Sequence, residues 1–249
     1  MKKKRTRRRK KKKLDIDAYA EAIFKDIAEY LGLDTLDIDE KIQHEIVKEV
    51  MHTIITSLSY KPKIDALIKR INRHRRIINM IIAVKMLESI RSPTPDQLEF
   101  IVTHGDRALI PEIPRLYRLA KDMNREDLII MLKSLWEKYG RPSPIECPKC
   151  GFRAIMPDLT CYVCGNIVSE KYIREKLSFE EKFEEYVKNA SLAELNDVMN
   201  LGFVLLSEID IKSPRYRIEA WKQIYYPINL RQSDIEKIVE EMRKRKQEY

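Results

Sequence analysis

The sequence predicts a mainly α protein: a multi-helix body with a small inserted four-cysteine module and a disordered basic N-terminal tail. Three observations carry that prediction. Apolar residues recur at three- and four-residue spacing nearly throughout, which is the period of a half-buried helix. Breaks between periodic stretches carry helix-capping residues. All four cysteines of the 249-residue chain fall within 18 positions, in two pairs of equal spacing.

Taken in order, Leu14–Leu31 reads as an amphipathic helix stopped at Gly32, and Asp39–Leu58 as the next. Pro62–Arg91 reads as one long helix. Thr94-Pro95-Asp96-Gln97 is a capping box with proline at the first helical position, because hydroxyl and amide can satisfy each other's backbone N–H groups. Its helix should run to about His104. A shorter segment follows near Pro114–Met123, and Arg125–Tyr139 should end at Gly140 in the left-handed conformation that closes a helix cheaply. Beyond the cysteines, capping signals occur at Ser178 to Glu181, Ser191 to Glu194 and Ser233 to Glu236, and Ser213-Pro214 should open a helix that Pro227 terminates. No repeat of fixed period and no Gly/Ser linker is present. The clearest break is Gly140-Arg141-Pro142-Ser143-Pro144, which cannot continue a helix. The expected organisation is a tail over 1–13, an α-helical domain over 14–143, the cysteine module over 144–168 and an α-helical region over 169–249.

The charge is unevenly placed. The chain has 48 Lys+Arg against 39 Asp+Glu, a net of +9. Eleven of the basic groups are Lys2, Lys3, Lys4, Arg5, Arg7, Arg8, Arg9, Lys10, Lys11, Lys12 and Lys13, interrupted only by Thr6, so residues 14–249 carry a net of −2. Self-repulsion and the lack of apolar residues keep such a run disordered when free. It suits a flexible phosphate-binding arm, which adds affinity and salt dependence without sequence specificity. A solvated tail, an anionic-membrane contact and a nuclear-import signal are the other readings. With 44% hydrophobic residues the body can bury a core, which excludes a wholly disordered chain.

No secretory signal follows the basic start, since Lys13 leads into Leu14-Asp15-Ile16-Asp17. The most apolar stretch, Ile77 to Val84, is far short of the roughly 20 residues needed to cross a bilayer. The expectation is a retained N-terminus and a soluble, cytoplasmic protein without a membrane partner. Six glycines, few glutamines and 35% charged residues form a composition associated with adaptation to heat, so a thermophilic, archaeal source is expected.

Cys147-Pro148-Lys149-Cys150-Gly151 and Cys161-Tyr162-Val163-Cys164-Gly165 are the strongest chemical signal. Each C-x2-C can bend as a knuckle that turns two thiolates toward one metal, and two knuckles complete a tetrahedral four-cysteine site. The glycine after each second cysteine permits φ > 0 and lets backbone N–H groups point at sulfur. Clustered cysteines with none elsewhere suit metal ligation in a reducing compartment better than a disulfide framework. The arrangement resembles a zinc ribbon over residues 145–168, with Phe152–Met156 as a short strand, a turn at Pro157-Asp158 and Asn166–Val168 on the other arm. The resemblance implies one structural Zn²⁺. A rubredoxin-like iron site and a dithiol redox pair are the alternatives. It also implies a setting in transcription, translation, replication or RNA processing. Lys149, Arg153 and Lys171 would offset the thiolate charge and offer a basic rim.

Two further surfaces could touch nucleic acid, DNA or RNA. On Pro62–Arg91, Lys69, Arg73 and Arg76 share a stripe opposite Ile64, Leu67, Ile71, Ile78 and Ile82, which could track a phosphate backbone or pair with the acid-rich Asp34–Glu40. His74 falls toward the apolar side and reads as packed. Arg215-Tyr216-Arg217 with Trp221, Lys222, Tyr225 and Tyr226 interleaves cations and aromatics, though Ile218, Trp221 and Tyr225 at helical spacing fit a core.

No phosphate loop or dinucleotide fingerprint occurs. His44-Glu45 opens like a zincin motif, but position 48 is lysine. Thr103-His104-Gly105-Asp106 reads as a helix end, and Asp34, Asp37, Asp39, Glu40, Glu180, Glu181, Glu184 and Glu185 as caps and exposed faces rather than a Mg²⁺ site. The expectation is a non-catalytic, zinc-binding, nucleic-acid-associated factor. The alternatives are a subunit docking through helices and ribbon onto a larger protein or ribonucleoprotein complex, and an enzyme with an unrecognised helical site.

Overall fold

The computed structural model describes residues 14–56, 58, 60–206 and 224–247. Among these residues are twelve α-helices and one two-stranded sheet, so the mainly helical class holds. The basic run 2–13, the helix expected from Ser213-Pro214, and Arg215, Tyr216, Arg217, Trp221 and Lys222 lie outside the described residues. Packing divides the chain into two compact units between Leu109 and Ile110. The division falls upstream of the Gly140–Pro144 break and groups the helices over 113–139 with the cysteine segment.

The N-terminal unit begins with α1 (Ile16–Ala22) and α2 (Phe24–Leu31) where one helix was expected. Ile23, at φ −120°, ψ 15°, leaves the helical region for a single residue. Tyr19, Ala20, Ile23, Ile27, Ala28 and Leu31 are all buried, so the apolar period runs unbroken across the kink and could not reveal it. Gly32 ends α2 with φ +74°, as expected. The centre of the unit is α3 (Glu40–Ile55), capped by Asp39 and burying Ile46, Val47, Val50, Met51, Ile54 and Ile55 against α1, α2 and the next two helices.

The long helix expected over 62–91 is likewise two, α4 (Ile64–Arg73) and α5 (Arg75–Ser89), broken at His74. Residues 72–77 are all exposed, so no packing opposes the cost of crowding like charges at i, i+3. Leu67, Ile71, Ile78 and Ile82 are fully buried on both sides, because Ile71 and Ile78 stand two turns apart and keep register. His74 is therefore exposed at the break and is not the packed histidine expected. Next comes α6 (Pro95–His104), whose capping box is complete, and Gln97 Nε2 also donates to the carbonyls of Leu36 and Asp37 at 2.9 and 3.0 Å.

In the C-terminal unit, α7 (Ile113–Asp122) and α8 (Glu126–Tyr139) pack as a hairpin before the cysteine segment. Gly140 ends α8 at φ −81°, ψ −156°, not in the left-handed conformation expected. Glycine is required there for space: a Cβ would sit 2.6 Å from the Trp136 carbonyl oxygen and 2.7 Å from its ring. Gly140→Ala is thus expected to cost about 1–3 kcal/mol in urea unfolding despite an allowed φ. A neutral result would mean the Trp136 ring can move aside.

After the cysteines come α9 (Glu170–Lys176), α10 (Phe179–Asn189) and α11 (Leu192–Leu201), then α12 (Gln232–Gln247) at the end. The Ser191–Glu194 box is formed. Ser178 instead adopts φ 50° without a side-chain cap bond. Ser233 lies inside α12, where Asp234 accepts from the Arg231 N–H at 2.9 Å.

The all-α expectation outside the cysteines is corrected by a short antiparallel pair, β1 (Phe203–Leu206) and β2 (Tyr226–Asn229). Pro227 sits in β2 rather than ending a helix. Val204, Leu206, Tyr226 and Ile228 face the core, while the opposed pair Leu205 and Pro227 faces out. Four residues of alternation are too few to stand out in the sequence.

Arg174, 4% exposed, ties these elements together. Its guanidinium donates to Asp234 Oδ2 at 2.8 Å, Glu180 Oε1 at 2.9 Å and the Asn229 carbonyl at 3.1 Å, and lies 3.9 Å from the centre of the Phe179 ring.

Candidate metal centre

Both knuckles form by the same backbone pattern. The Gly151 N–H donates to the Cys147 carbonyl and the Gly165 N–H to the Cys161 carbonyl, each at 2.8 Å. The Cys147 N–H reaches Phe152 O at 2.9 Å, and the Cys161 N–H reaches Asn166 O at 2.8 Å. Gly151 and Gly165 carry φ +69° and +68°, the conformation that lets the chain double back after each second cysteine. The expected strand and arm are reduced to two isolated bridges, Ile155 with Cys161 and Thr160 with Ile167, because a ten-residue spacer leaves no length for a ladder.

The folded knuckles bring Cys147, Cys150, Cys161 and Cys164 together, with all four sulfurs within 4.8 Å of one another. Cys150 Sγ to Cys161 Sγ is 3.6 Å and Cys147 Sγ to Cys164 Sγ is 3.7 Å. A disulfide would need about 2.0 Å. The edge of a tetrahedron with metal–sulfur bonds of about 2.3 Å is about 3.8 Å, so the spacing fits one ion bound by four thiolates. Cys147, Cys150 and Cys161 are buried, and all four positions come from protein. Such a centre would have no position open to substrate.

The sulfurs compete for protons. The Cys150 thiol is pushed up by its contact with Cys161 and by burial, whereas Cys161 is pushed down to about 5 by the hydrogen bond from Cys150 and by the N–H groups of Cys164 and Val163. Burial pushes the Cys164 thiol up as well, while the Phe152 and Asn166 N–H groups partly offset this at Cys150 and Cys164 by favouring the thiolates.

The rest of the unit holds the knuckles from outside. The Trp136 ring of α8 stacks on Tyr162 at 5.3 Å, and its Nε1 donates to Arg153 O at 2.7 Å. The buried Tyr226 hydroxyl donates to Ile155 O at 3.0 Å. Ser143 Oγ accepts from the Ile155 N–H and donates to Ile145 O. Arg153, expected on a basic rim, instead donates to the carbonyls of Ser143 and Pro144 at 2.8 and 3.2 Å, bracing the entry loop. Lys171 pairs with Glu175 at 3.8 Å, and Lys149 remains exposed. The sequence did not single out Lys121 and Lys133, which with Lys149 and Tyr117 line a 490 Å³ hollow beside Cys150. They come from helices whose packing on the cysteines has no local signature. Four thiolates and a divalent ion would total −2, a charge these ammonium groups would help to offset.

The stripe expected over Lys69, Arg73 and Arg76 is exposed but spans the His74 break, with Lys69 and Arg73 on α4 and Arg76 on α5. Arg76 pairs with Asp106 at 2.8 Å rather than with Asp37 or Glu40. Lys69 and Arg73 form no ion pair among the described residues. In the third surface Tyr226 is core, not a stacking platform. His44 stacks on Phe24 at 3.6 Å, and Glu180 and Glu184 pair with Lys237. Among the described residues the four cysteines form the one group of His, Cys, Asp or Glu arranged to hold a metal. No described helix is long and apolar enough to cross a membrane.

Comparison with protein-family models, with curated proteins and with solved structures finds no match to this chain.

Proposed function

We propose that this chain is a non-catalytic, nucleic-acid-associated protein of an information-processing system, its C-terminal unit held by one structural Zn²⁺ in a ribbon formed by Cys147, Cys150, Cys161 and Cys164. The observation that carries this reading is a separation of chemistry. Soft donors for a metal are enclosed with no coordination position left over, which suits a structural ion. The densest positive charge lies elsewhere in the sequence, in eleven residues of the first thirteen, with a smaller group on the exposed Lys69, Arg73 and Arg76. Zinc is favoured over iron because four-thiolate tetrahedra with paired knuckles are its commonest structural environment. When bound, the ion would crosslink the two knuckle loops. The cytoplasm, where thiols stay reduced, suits the site.

A salt series tests the nucleic-acid half. Deleting residues 2–13 is expected to weaken binding to random DNA and RNA uniformly and to flatten log K against log salt. If about six of the eleven charges meet B-DNA phosphates, the slope falls by roughly 5. Unchanged affinity and slope would leave the run as a solvated tail. A subunit that docks onto a larger complex is the second reading, favoured by the outward Leu201 and Leu205 at the α11–β1 corner. That reading predicts no residual slope once the tail is removed.

A further inference from the structure

Arg73-His74-Arg75-Arg76 places three guanidinium groups and an imidazole on consecutive exposed residues at the α4–α5 break. Despite the break, Arg73, Arg76, Ile77 and Met80 keep the i, i+3, i+4, i+7 spacing of one helix face. They form one wall of a 470 Å³ groove, and His104 and Asp106, at the end of α6, form the other. That volume is in the range of small-ligand sites, about 300–1,000 Å³.

The groove combines two chemistries. Its one acid, Asp106, is engaged by Arg76 at 2.8 Å, which leaves Arg73 beside the groove with no ion pair among the described residues. Burial, with the Arg75 charge, lowers the pKa of His104 and favours its uncharged ring. It offers an aromatic face rather than a cation. Between the cations, Ile77 is 45% exposed and Met80 half-buried. A surface that only tracked the phosphates of a duplex would gain nothing from an apolar floor. An unstacked base gains by covering one, and imidazole is among the rings on which bases stack.

We propose that this groove binds single-stranded nucleic acid, with Arg73 and Arg75 on successive phosphates and a base laid against Ile77, Met80 and His104. The inference rests on the nucleic-acid reading above and adds strand selectivity to it. The basic run at the chain start would contact single strands and duplexes alike, whereas the groove admits a base only when it is unpaired.

The test uses the full, metal-loaded chain with a labelled oligouridine of about twelve nucleotides and a random duplex of the same length. A 4-thiouridine version of the single strand should photo-crosslink to peptides containing Met80 or His104. Arg73→Glu with Arg75→Glu should weaken single-strand binding about tenfold. Its salt slope should fall by roughly 1.4, two phosphates' worth, while duplex binding changes little. Both residues are exposed, so thermal melting should not move. Ile77→Asp should lower single-strand affinity alone. Equal losses for strand and duplex, equal competition by an acidic peptide, or crosslinks elsewhere would overturn the groove. If the double variant binds the single strand normally, the groove falls while binding through the N-terminal run stands. If the unaltered chain binds neither probe with a salt slope, the nucleic-acid reading falls with it.

Discussion

In the Cys161→Ser chain, bound zinc is expected to fall to a trace and residues 141–168 to lose their fold, while α3, α5 and α6 keep theirs. The serine hydroxyl stays protonated at neutral pH and cannot replace a thiolate. Cys161 is also the sulfur that meets Cys150 at 3.6 Å and accepts N–H groups from its own knuckle. Structural zinc is worth about 10–16 kcal/mol to small zinc-finger peptides. The loss here will be smaller, because Trp136, Arg153 and Tyr226 hold the segment through bonds that do not involve the metal. Elemental analysis and limited proteolysis read both effects. The N-terminal unit should persist because it has its own apolar core, and its buried Gln43 and Gln97 are hydrogen-bonded within the same unit. A wild-type chain that purifies without metal yet resists protease over 141–168 would refute the structural role.

Arg174→Ala is expected to destabilise the C-terminal unit by about 3–5 kcal/mol, the usual cost of leaving a buried charge without its partner. That corresponds to a fall of about 10 °C in melting temperature. Asp234 is fully buried, its Oδ1 has no hydrogen-bond partner and its Oδ2 would keep only the Arg231 N–H, so removing the guanidinium leaves a buried carboxylate without its countercharge. It also frees the Asn229 carbonyl and uncovers the Phe179 ring. Adding Asp234→Asn should recover part of the loss, because an amide costs less to bury than an unpaired carboxylate. The double-mutant cycle separates this pairing from lost packing. Additive effects would mean that Arg174 acts through Glu180, the Asn229 carbonyl and Phe179 rather than through Asp234.

Much of this structure was legible because its signals are local. The Thr94–Gln97 and Ser191–Glu194 boxes, the left-handed Gly32 and the paired C-x2-C-G knuckles each depend on residues within five positions, and each formed as read. The misses share a different cause. Ile23 and His74 interrupt helices without interrupting the apolar period, since burial on either side keeps register. Gly140 is glycine because of where the Trp136 ring packs, which no turn rule encodes. The β1–β2 pair joins residues twenty or more positions apart through four-residue strands.

The sequence by itself determined the helical class, the asymmetric charge and which four cysteines would cluster, because periodicity, composition and short spacing are properties of the chain before it folds. Only the tertiary structure decided that the sulfurs stand one metal–ligand tetrahedron apart, that Arg153 braces a loop rather than facing solvent, and that Arg73, Ile77 and His104 share a groove. Those facts depend on which distant side chains come into contact, and contact is set by packing that no stretch of local pattern contains.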